Sequence, residues 1–281
     1  MIITARTALY ALLGDPVSHS RSPALHNAWL KAAGRDAIYF ALPIAEAGAD
    51  AAFAALSAYG LRGANVTVPH KARAARVAAR RDAGVEVLAA ANVLTWEEGG
   101  LSAYNTDAPG LLAALDEGAP GWRGGARSAL VLGAGGAGRA AAWALAGAGL
   151  AITIANRTLE RAEAAASLAS GMRATPWARL DEAFAAADVI VNTTTLGMAG
   201  APDFDWPLAA APAHAIVMDA VYAPRETALL RAARARGLVA VDGLGMLLHQ
   251  AALSYEIWFG ERPDLALGRA ALENARVERC V

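Results

Sequence analysis

The chain is poor in several things, and each absence excludes something. It has one cysteine, Cys280, one residue from the end. A disulfide framework or a cysteine metal site within one chain is therefore excluded. No apolar stretch approaches the roughly 20 residues of a membrane span; the apolar runs are rich in alanine and glycine and are broken by Arg or Asp. The start, Met1-Ile2-Ile3-Thr4-Ala5-Arg6, lacks the charged and apolar regions of a signal peptide. Charge of one sign is also missing. A formal net charge of -1 leaves no basic field for nucleic acid and no acidic tail. The five histidines, His19, His26, His70, His214 and His249, show no metal-ligand spacing. No repeat at solenoid periods and no low-complexity tract occurs. These absences predict a cytoplasmic protein with no metal, nucleic-acid or membrane partner, and they leave monomer or homodimer open.

What is present is an alternation of apolar strands and alanine-rich helices over 281 residues that are 56% hydrophobic. That length suits two modest domains or one large one. Strands are predicted at 10–13, 37–42 and 63–68. A helix opens at Ser22-Pro23, with Ser22 as N-cap, and a second runs from about Ala45 to Tyr59. The segment 91–104 reads as a hairpin turning at Glu97-Glu98-Gly99-Gly100. A helix from Pro109 links the domains, and the Gly- and Pro-rich loop 118–125 marks a composition boundary. Ser128–Leu132 is continuously apolar, as in a sheet buried on both sides. Strands at 151–155, 188–192 and 215–219 continue the series, and 246–259 has helical spacing. The expected fold is α/β, with helices on both faces of mainly parallel sheets.

A glycine loop, Gly133-Ala134-Gly135-Gly136-Ala137-Gly138, follows the apolar strand. Strand before, helix after and second strand beyond give it the context of a dinucleotide site. Gly133 permits the tight turn, Gly135 the approach of a pyrophosphate, and Gly138 close packing of helix on strand. The helix N-terminus offers unpaired N–H groups to the phosphates. The next strand ends in Asn156-Arg157-Thr158, with Arg161 one turn on, and no Asp or Glu stands there to take a ribose 2′-hydroxyl. Arginine matches a phosphate, so NADP is favoured over NAD.

Polar runs interrupt the apolar background in the first half. Lys71 follows Pro69 just past a buried strand, where α/β sheets place their ligand crevice. It can donate to a substrate oxygen, or it can be a surface lysine opening a basic helix with Arg73 and Arg76. Asp107 can orient such a lysine or cap the helix near Pro109. Ser20, Ser22, Asn65, Thr67, Asn92 and Gln250 are polar groups that need partners, which a polyhydroxylated ligand would supply. Arg73, Arg76, Arg80 and Arg81 read as a solvated helix face, and His19 and His70 as hydrogen-bonding or packing groups.

These runs, in this order, resemble the shikimate dehydrogenase family. The resemblance rests on Ser20-Arg21-Ser22-Pro23, Asn65-Val66-Thr67-Val68-Pro69-His70-Lys71, Asn92, Asn105-Thr106-Asp107, Asn156-Arg157-Thr158, Asp219-Ala220-Val221-Tyr222-Ala223-Pro224 and Gly243-Leu244-Gly245-Met246-Leu247-Leu248-His249-Gln250. It implies an N-terminal α/β substrate domain (1–107 plus about 247–281, C-terminal helices returning to it) and a Rossmann NADP domain (108–246). The implied activity is reversible NADP-dependent reduction of 3-dehydroshikimate to shikimate, in aromatic amino-acid biosynthesis. Lys71 and Asp107 would be catalytic. Ser20 and Ser22 would hold the substrate carboxylate; Asn65, Thr67, Asn92, Tyr222 and Gln250 would line the ring. Gly133, Ala134, Gly135, Gly136, Ala137, Asn156, Arg157, Thr158, Arg161, Ala220 and Gly243 would meet the cofactor. His70, Val93 and Ala220 depart from the usual family residues, which leaves open a paralogue acting on quinate or aminoshikimate. A non-catalytic NADP-binding regulator is the alternative of another class.

Overall fold

The structure, a computed structural model, describes residues 3–56, 58–202 and 204–275. Cys280, Met1 and Ile2 lie outside them. The chain forms two compact units, Met1–Thr106 with Gln250–Val281, and Asp107–His249. The composition boundary expected at 118–125 lies inside the second unit, where Trp122 is buried in its core.

The first unit is a six-stranded mixed sheet. Its strands are β1 (Ala8–Gly14), β2 (Ala37–Pro43), β3 (Leu61–Val66), β4 (Arg80–Arg81), β5 (Val93–Glu97) and β6 (Gly100–Tyr104), in the order β2-β1-β3-β5-β6-β4. β1 pairs parallel with β2 and β3; β5 runs antiparallel to β3 and β6. Alternation sorts the two faces. Ala11, Leu13, Ala64, Val66 and Leu94 enter one core with Phe53 and Ile44. The opposite face is aromatic: the Tyr10 ring lies tilted against Trp258 and Phe259, with centroids 5.1 and 5.0 Å away.

Helices α1 (Ser22–Ala32), α2 (Ala49–Ala55), α3 (Lys71–Val77) and α4 (Ala83–Leu88) connect these strands. Arg21, not Ser22, is the N-cap of α1, and no side chain caps it; Ser22 is already helical. The second helix begins at Ala49 instead of about Ala45 because Gly48 sits at φ 80, a left-handed conformation that a helix cannot continue through, and it ends at Ala55. The third strand ends at Val66, so Thr67 and Val68 belong to the turn before Lys71. Arg80 and Arg81 form β4 instead of a helix face, because the backbone turns extended at Ala78. Arg73 is no freely solvated residue either: it bonds both Asp50 and His70.

The second unit opens with α5 (Asp107–Gly118), two residues before the predicted start, and α6 (Trp122–Gly125). Its strands are β7 (Ser128–Leu132), β8 (Ala151–Asn156), β9 (Met172–Pro176), β10 (Val189–Asn192), β11 (Ile216–Asp219) and β12 (Val239–Val241). The order β12-β11-β10-β7-β8-β9 is all parallel. It is the doubly wound Rossmann order, reversing at the β7/β10 pair. Both faces are buried: Ala129 and Val131 enter one core, Leu130 and Leu132 the other. Helices α7 (Gly136–Gly147), α8 (Leu159–Ala166), α9 (Leu180–Ala185) and α10 (Ala228–Ala235) cover them.

Helix α11 (Gly243–Phe259) starts in the second unit and ends in the first, and α12 (Leu265–Asn274) packs on α1. The Trp29 indole N–H donates to Asp264 O at 2.7 Å across that contact. No helix of the described residues is long and apolar enough to cross a membrane.

Candidate active site

In the first unit the carboxyl ends of β1, β3 and β6 lie on one edge, since β3 is parallel to β1 and antiparallel to β5, and β5 is antiparallel to β6. The loops leaving these ends carry Ser20, Thr67 and Thr106, and the helices that two of them enter open with Ser22 and Lys71. Ser20 Oγ donates to Ser22 Oγ at 3.2 Å and accepts from the Ser22 N–H at 3.2 Å, so the two hydroxyls are held together. Thr67 is fixed by its N–H on Leu13 O at 2.8 Å.

Asn65 and Asn92 are almost fully buried and build one network. Asn65 Nδ2 donates to Ser254 Oγ at 2.8 Å and to Asn92 O at 3.2 Å, while Asn65 Oδ1 accepts from the Tyr39 hydroxyl at 2.8 Å. Asn92 Nδ2 donates to Thr106 Oγ1 at 2.8 Å and to Gln250 Oε1 at 3.2 Å. Each of these amides replaces lost water with protein partners, without which burial would cost roughly 1–3 kcal/mol. Asn65, Asn92 and Gln250, expected on ring hydroxyls, are thus brought together.

Lys71 is half-buried at the first position of α3, and its carbonyl accepts from the Ala91 N–H at 2.9 Å. A cation at a helix N-terminus works against the helix dipole. Helix stability therefore does not explain this lysine, which weakens its reading as a helix-opening surface residue. His70 beside it is fully buried: Nε2 lies 2.6 Å from Ile44 O, and Arg73 donates to Nδ1 at 2.8 Å. Both ring nitrogens are used structurally. Asp107 is buried at the first position of α5 in the second unit. It follows Thr106, whose N–H donates to Asn92 Oδ1 at 2.7 Å.

In the second unit, Gly133 sits at φ 102, which an L side chain rarely adopts. A Cβ on Gly138 would stand 2.1 Å from Gly133 O, so only glycine lets α7 approach β7 this closely. A Cβ on Gly135, the N-cap of α7, would meet no protein atom within 4 Å. Tight where the helix packs and open at its N-terminus, this cradle fits a dinucleotide pyrophosphate. Ala134 completes the turn, and Gly136 and Ala137 open α7.

At the end of β8, Asn156 Nδ2 donates to Thr158 O at 2.9 Å and shapes the turn into α8. Thr158, the N-cap of α8, is exposed and makes no side-chain capping bond. Arg157 and Arg161 are exposed, and neither forms an ion pair among the described residues. Two guanidinium groups and a hydroxyl at this point suit a phosphate.

The turn after β11 is fastened by Asp219. Its Oδ1 accepts from Asn192 Nδ2 at 2.9 Å and the Val221 N–H at 3.0 Å; its Oδ2 accepts from Thr227 Oγ1 at 2.7 Å. Burial pushes this carboxyl up to about 6, and those donors oppose the shift. The turn holds Ala220 and the half-buried Tyr222. A Cβ on Gly243 would lie 2.6 Å from Ala220 O, so Gly243 and Ala220 are neighbours by necessity.

Three family profiles match this chain: "Shikimate dehydrogenase substrate binding domain" over residues 12–94, "Shikimate / quinate 5-dehydrogenase" over 123–197, and "Shikimate 5'-dehydrogenase C-terminal domain" over 243–273. Shikimate dehydrogenase (NADP(+)) of Mesorhizobium japonicum is 49% identical over 261 residues, covering 92% of this chain and 93% of that protein. The chain belongs to the shikimate dehydrogenase family. The enzyme of the same name from Azorhizobium caulinodans is 47% identical over 92% of both chains. The crystal structure of Thermus thermophilus shikimate 5-dehydrogenase in complex with NADP(H) and shikimate is 36% identical, with a TM-score of 0.86 over 96% of this chain and 100% of that one.

Within this shikimate dehydrogenase family member, several polar residues at the same edges were not picked out by sequence reasoning. Tyr39, Thr106 and Ser254 join the amide network. Thr193 and Thr194 follow β10 at the switch point, close to where a Cβ on Gly133 would stand. The run Asn192-Thr193-Thr194-Thr195 after an apolar strand was the available signal. Among the described residues, no cluster of three His, Cys, Asp or Glu is placed to hold a metal ion.

Proposed function

We infer that this chain catalyses the reversible NADP-dependent reduction of 3-dehydroshikimate to shikimate, in the biosynthesis of aromatic amino acids. The observation that carries this is the strand-end edge of the first unit. It gathers two buried amides, paired serine hydroxyls and a lysine unexplained by its helix. Such a set suits a small carboxylate bearing several hydroxyls. Family membership supports the same substrate class.

The roles follow from the chemistry of each group. Ser20 and Ser22 donate to the substrate carboxylate; Asn65, Thr67, Asn92, Tyr222 and Gln250 bind and orient the ring. The glycine turn from Gly133 to Ala137 holds the pyrophosphate, Asn156, Arg157, Thr158 and Arg161 hold the ribose phosphate, and Ala220 and Gly243 shape the wall for the nicotinamide. When bound, NADPH supplies the hydride. Lys71 gives its proton to the substrate oxygen as the carbonyl becomes an alcohol, and recovers one in the reverse direction. Asp107 stabilises the charged lysine. The first unit serves the substrate and the second the cofactor. The protein works in the cytoplasm on small molecules, as a monomer or homodimer.

Absorbance of NADPH, followed with purified protein, tests this. Shikimate with NADP is expected to give the highest kcat/KM, above quinate and above NAD. Cofactor binding without turnover on any of these acids would replace this reading with that of a regulator. A preference for quinate would replace it with that of a paralogue.

A further inference from the structure

The hydrogen bonds already made by Asn65 limit what the residue can recognise. Its amide orientation is decided by fixed neighbours. Asn92 O is a carbonyl, which only accepts, so the Asn65 atom 3.2 Å away is the nitrogen. Ser254 Oγ gives its own proton to Gln250 O at 2.9 Å, so it accepts from the same nitrogen. Both Nδ2 protons are therefore committed. Oδ1 then faces Tyr39, whose hydroxyl must be the donor at 2.8 Å. The His26 ring lies near enough for Asn65 to favour its charged form, but among the described residues Tyr39 makes the hydrogen bond to Oδ1, which leaves one acceptor lone pair.

Tyr39 is itself held rigidly from α1. Asn27 clamps its backbone twice, accepting from the Tyr39 N–H at 3.0 Å and donating to Tyr39 O at 2.7 Å. The His26 ring stacks on the phenol, 4.3 Å between centroids and 11° from parallel. Tyr39 is 1% exposed, so no solvent competes for its proton.

We propose that Tyr39 is a positioning residue: with Asn92 O and Ser254 fixing which way the Asn65 amide faces, the Tyr39 hydroxyl holds Oδ1 in place, so that Asn65 recognises its substrate only by accepting a proton from a ring hydroxyl. Loss of the Tyr39 hydroxyl removes the one bond that holds Oδ1, leaving the amide tethered only through Nδ2 and its acceptor less well placed for that role. This rests on the placement of Asn65 at the substrate under Proposed function. The experiment separates the two claims.

Shikimate and its ring-deoxy and ring-deoxyfluoro analogues are titrated against the protein, Asn65→Ala and Tyr39→Phe, with kcat, both KM values and Tm recorded. Fluorine can accept but cannot donate. At the position where Asn65→Ala no longer separates shikimate from the deoxy analogue, fluorine is expected to weaken binding to the unsubstituted protein as much as hydrogen does. Tyr39→Phe is expected to raise the shikimate KM about tenfold, with the NADP KM within about twofold and kcat changed less than KM. A fluoro analogue that binds like shikimate at that position overturns the proposal. So does a Tyr39→Phe variant with an unchanged shikimate KM while Asn65→Ala raises it. If Asn65→Ala also leaves binding unchanged, the substrate placement itself fails, and the proposal with it. Should Tyr39→Phe not fold, the fluoro series decides alone.

Discussion

Asn92 grips Thr106 from both sides of its amide: Nδ2 donates to Thr106 Oγ1 at 2.8 Å, and Oδ1 accepts from the Thr106 N–H at 2.7 Å. Thr106 is the last residue before Asp107, so this pair fixes the point from which α5 departs. Asn92→Ala removes both bonds and leaves a buried N–H without its acceptor. A loss of about 2–4 kcal/mol is expected in chemical denaturation. A change under about 0.5 kcal/mol would mean that the grip is energetically idle.

Lys71→Ala is expected to lower kcat by about 10²–10⁴-fold while the shikimate KM moves only a few-fold, as for loss of a proton donor felt in the transition state. Steady-state rates with shikimate and NADP check this. Near-normal turnover would take Lys71 out of the chemistry.

Arg157→Ala is expected to weaken NADP by roughly 10–100-fold, the range of one charge-assisted pair, and to change NAD by much less. Fluorescence titration of both cofactors measures the two constants. Equal losses for both would contradict a phosphate-reading role.

Gly138→Ala places a carbon 2.1 Å from Gly133 O. Backbone has to move, at a cost of about 1–3 kcal/mol in stability, and the phosphate turn moves with it. The variant is expected to lose Tm and NADP affinity together; retained affinity would show that the turn tolerates a displaced α7.

His26 is buried, and desolvation pushes its imidazole down to about 3, with Asn65 opposing the shift. The folded state thus binds its proton less readily than the unfolded chain. Stability from this group is present above pH 6.5 and is lost as pH falls towards 3, by about 1.4 kcal/mol per unit within that window. His26→Phe keeps a ring on Tyr39 and is expected to flatten the slope. Denaturation curves from pH 7 to about 4 that superimpose for both proteins would refute a buried neutral imidazole.

Much of this molecule was legible in one dimension. Ser128–Leu132, the glycine turn and α7 are a local unit whose residues follow one another, so periodicity and conformational need are written side by side. The structure departs from the sequence expectation where tertiary contacts override local preference. Ser22 had the chemistry of an N-cap, yet the helix begins one residue earlier. Arg80 and Arg81 had the spacing of a helix face, yet β6 offered them a strand partner.

By itself the sequence determined the alternating α/β order, the glycine turn, the arginine pair after β8 and the apolar strands that must be buried. Each depends on neighbours a few residues apart. Only the tertiary structure decided that Tyr39 and Ser254 meet Asn65, across separations of 26 and 189 residues, and that Thr193 and Thr194 stand beside the glycine turn. Sheet register and helix packing choose such partners, and a hydrogen bond exists only once those long-range contacts have brought donor and acceptor within about 3 Å.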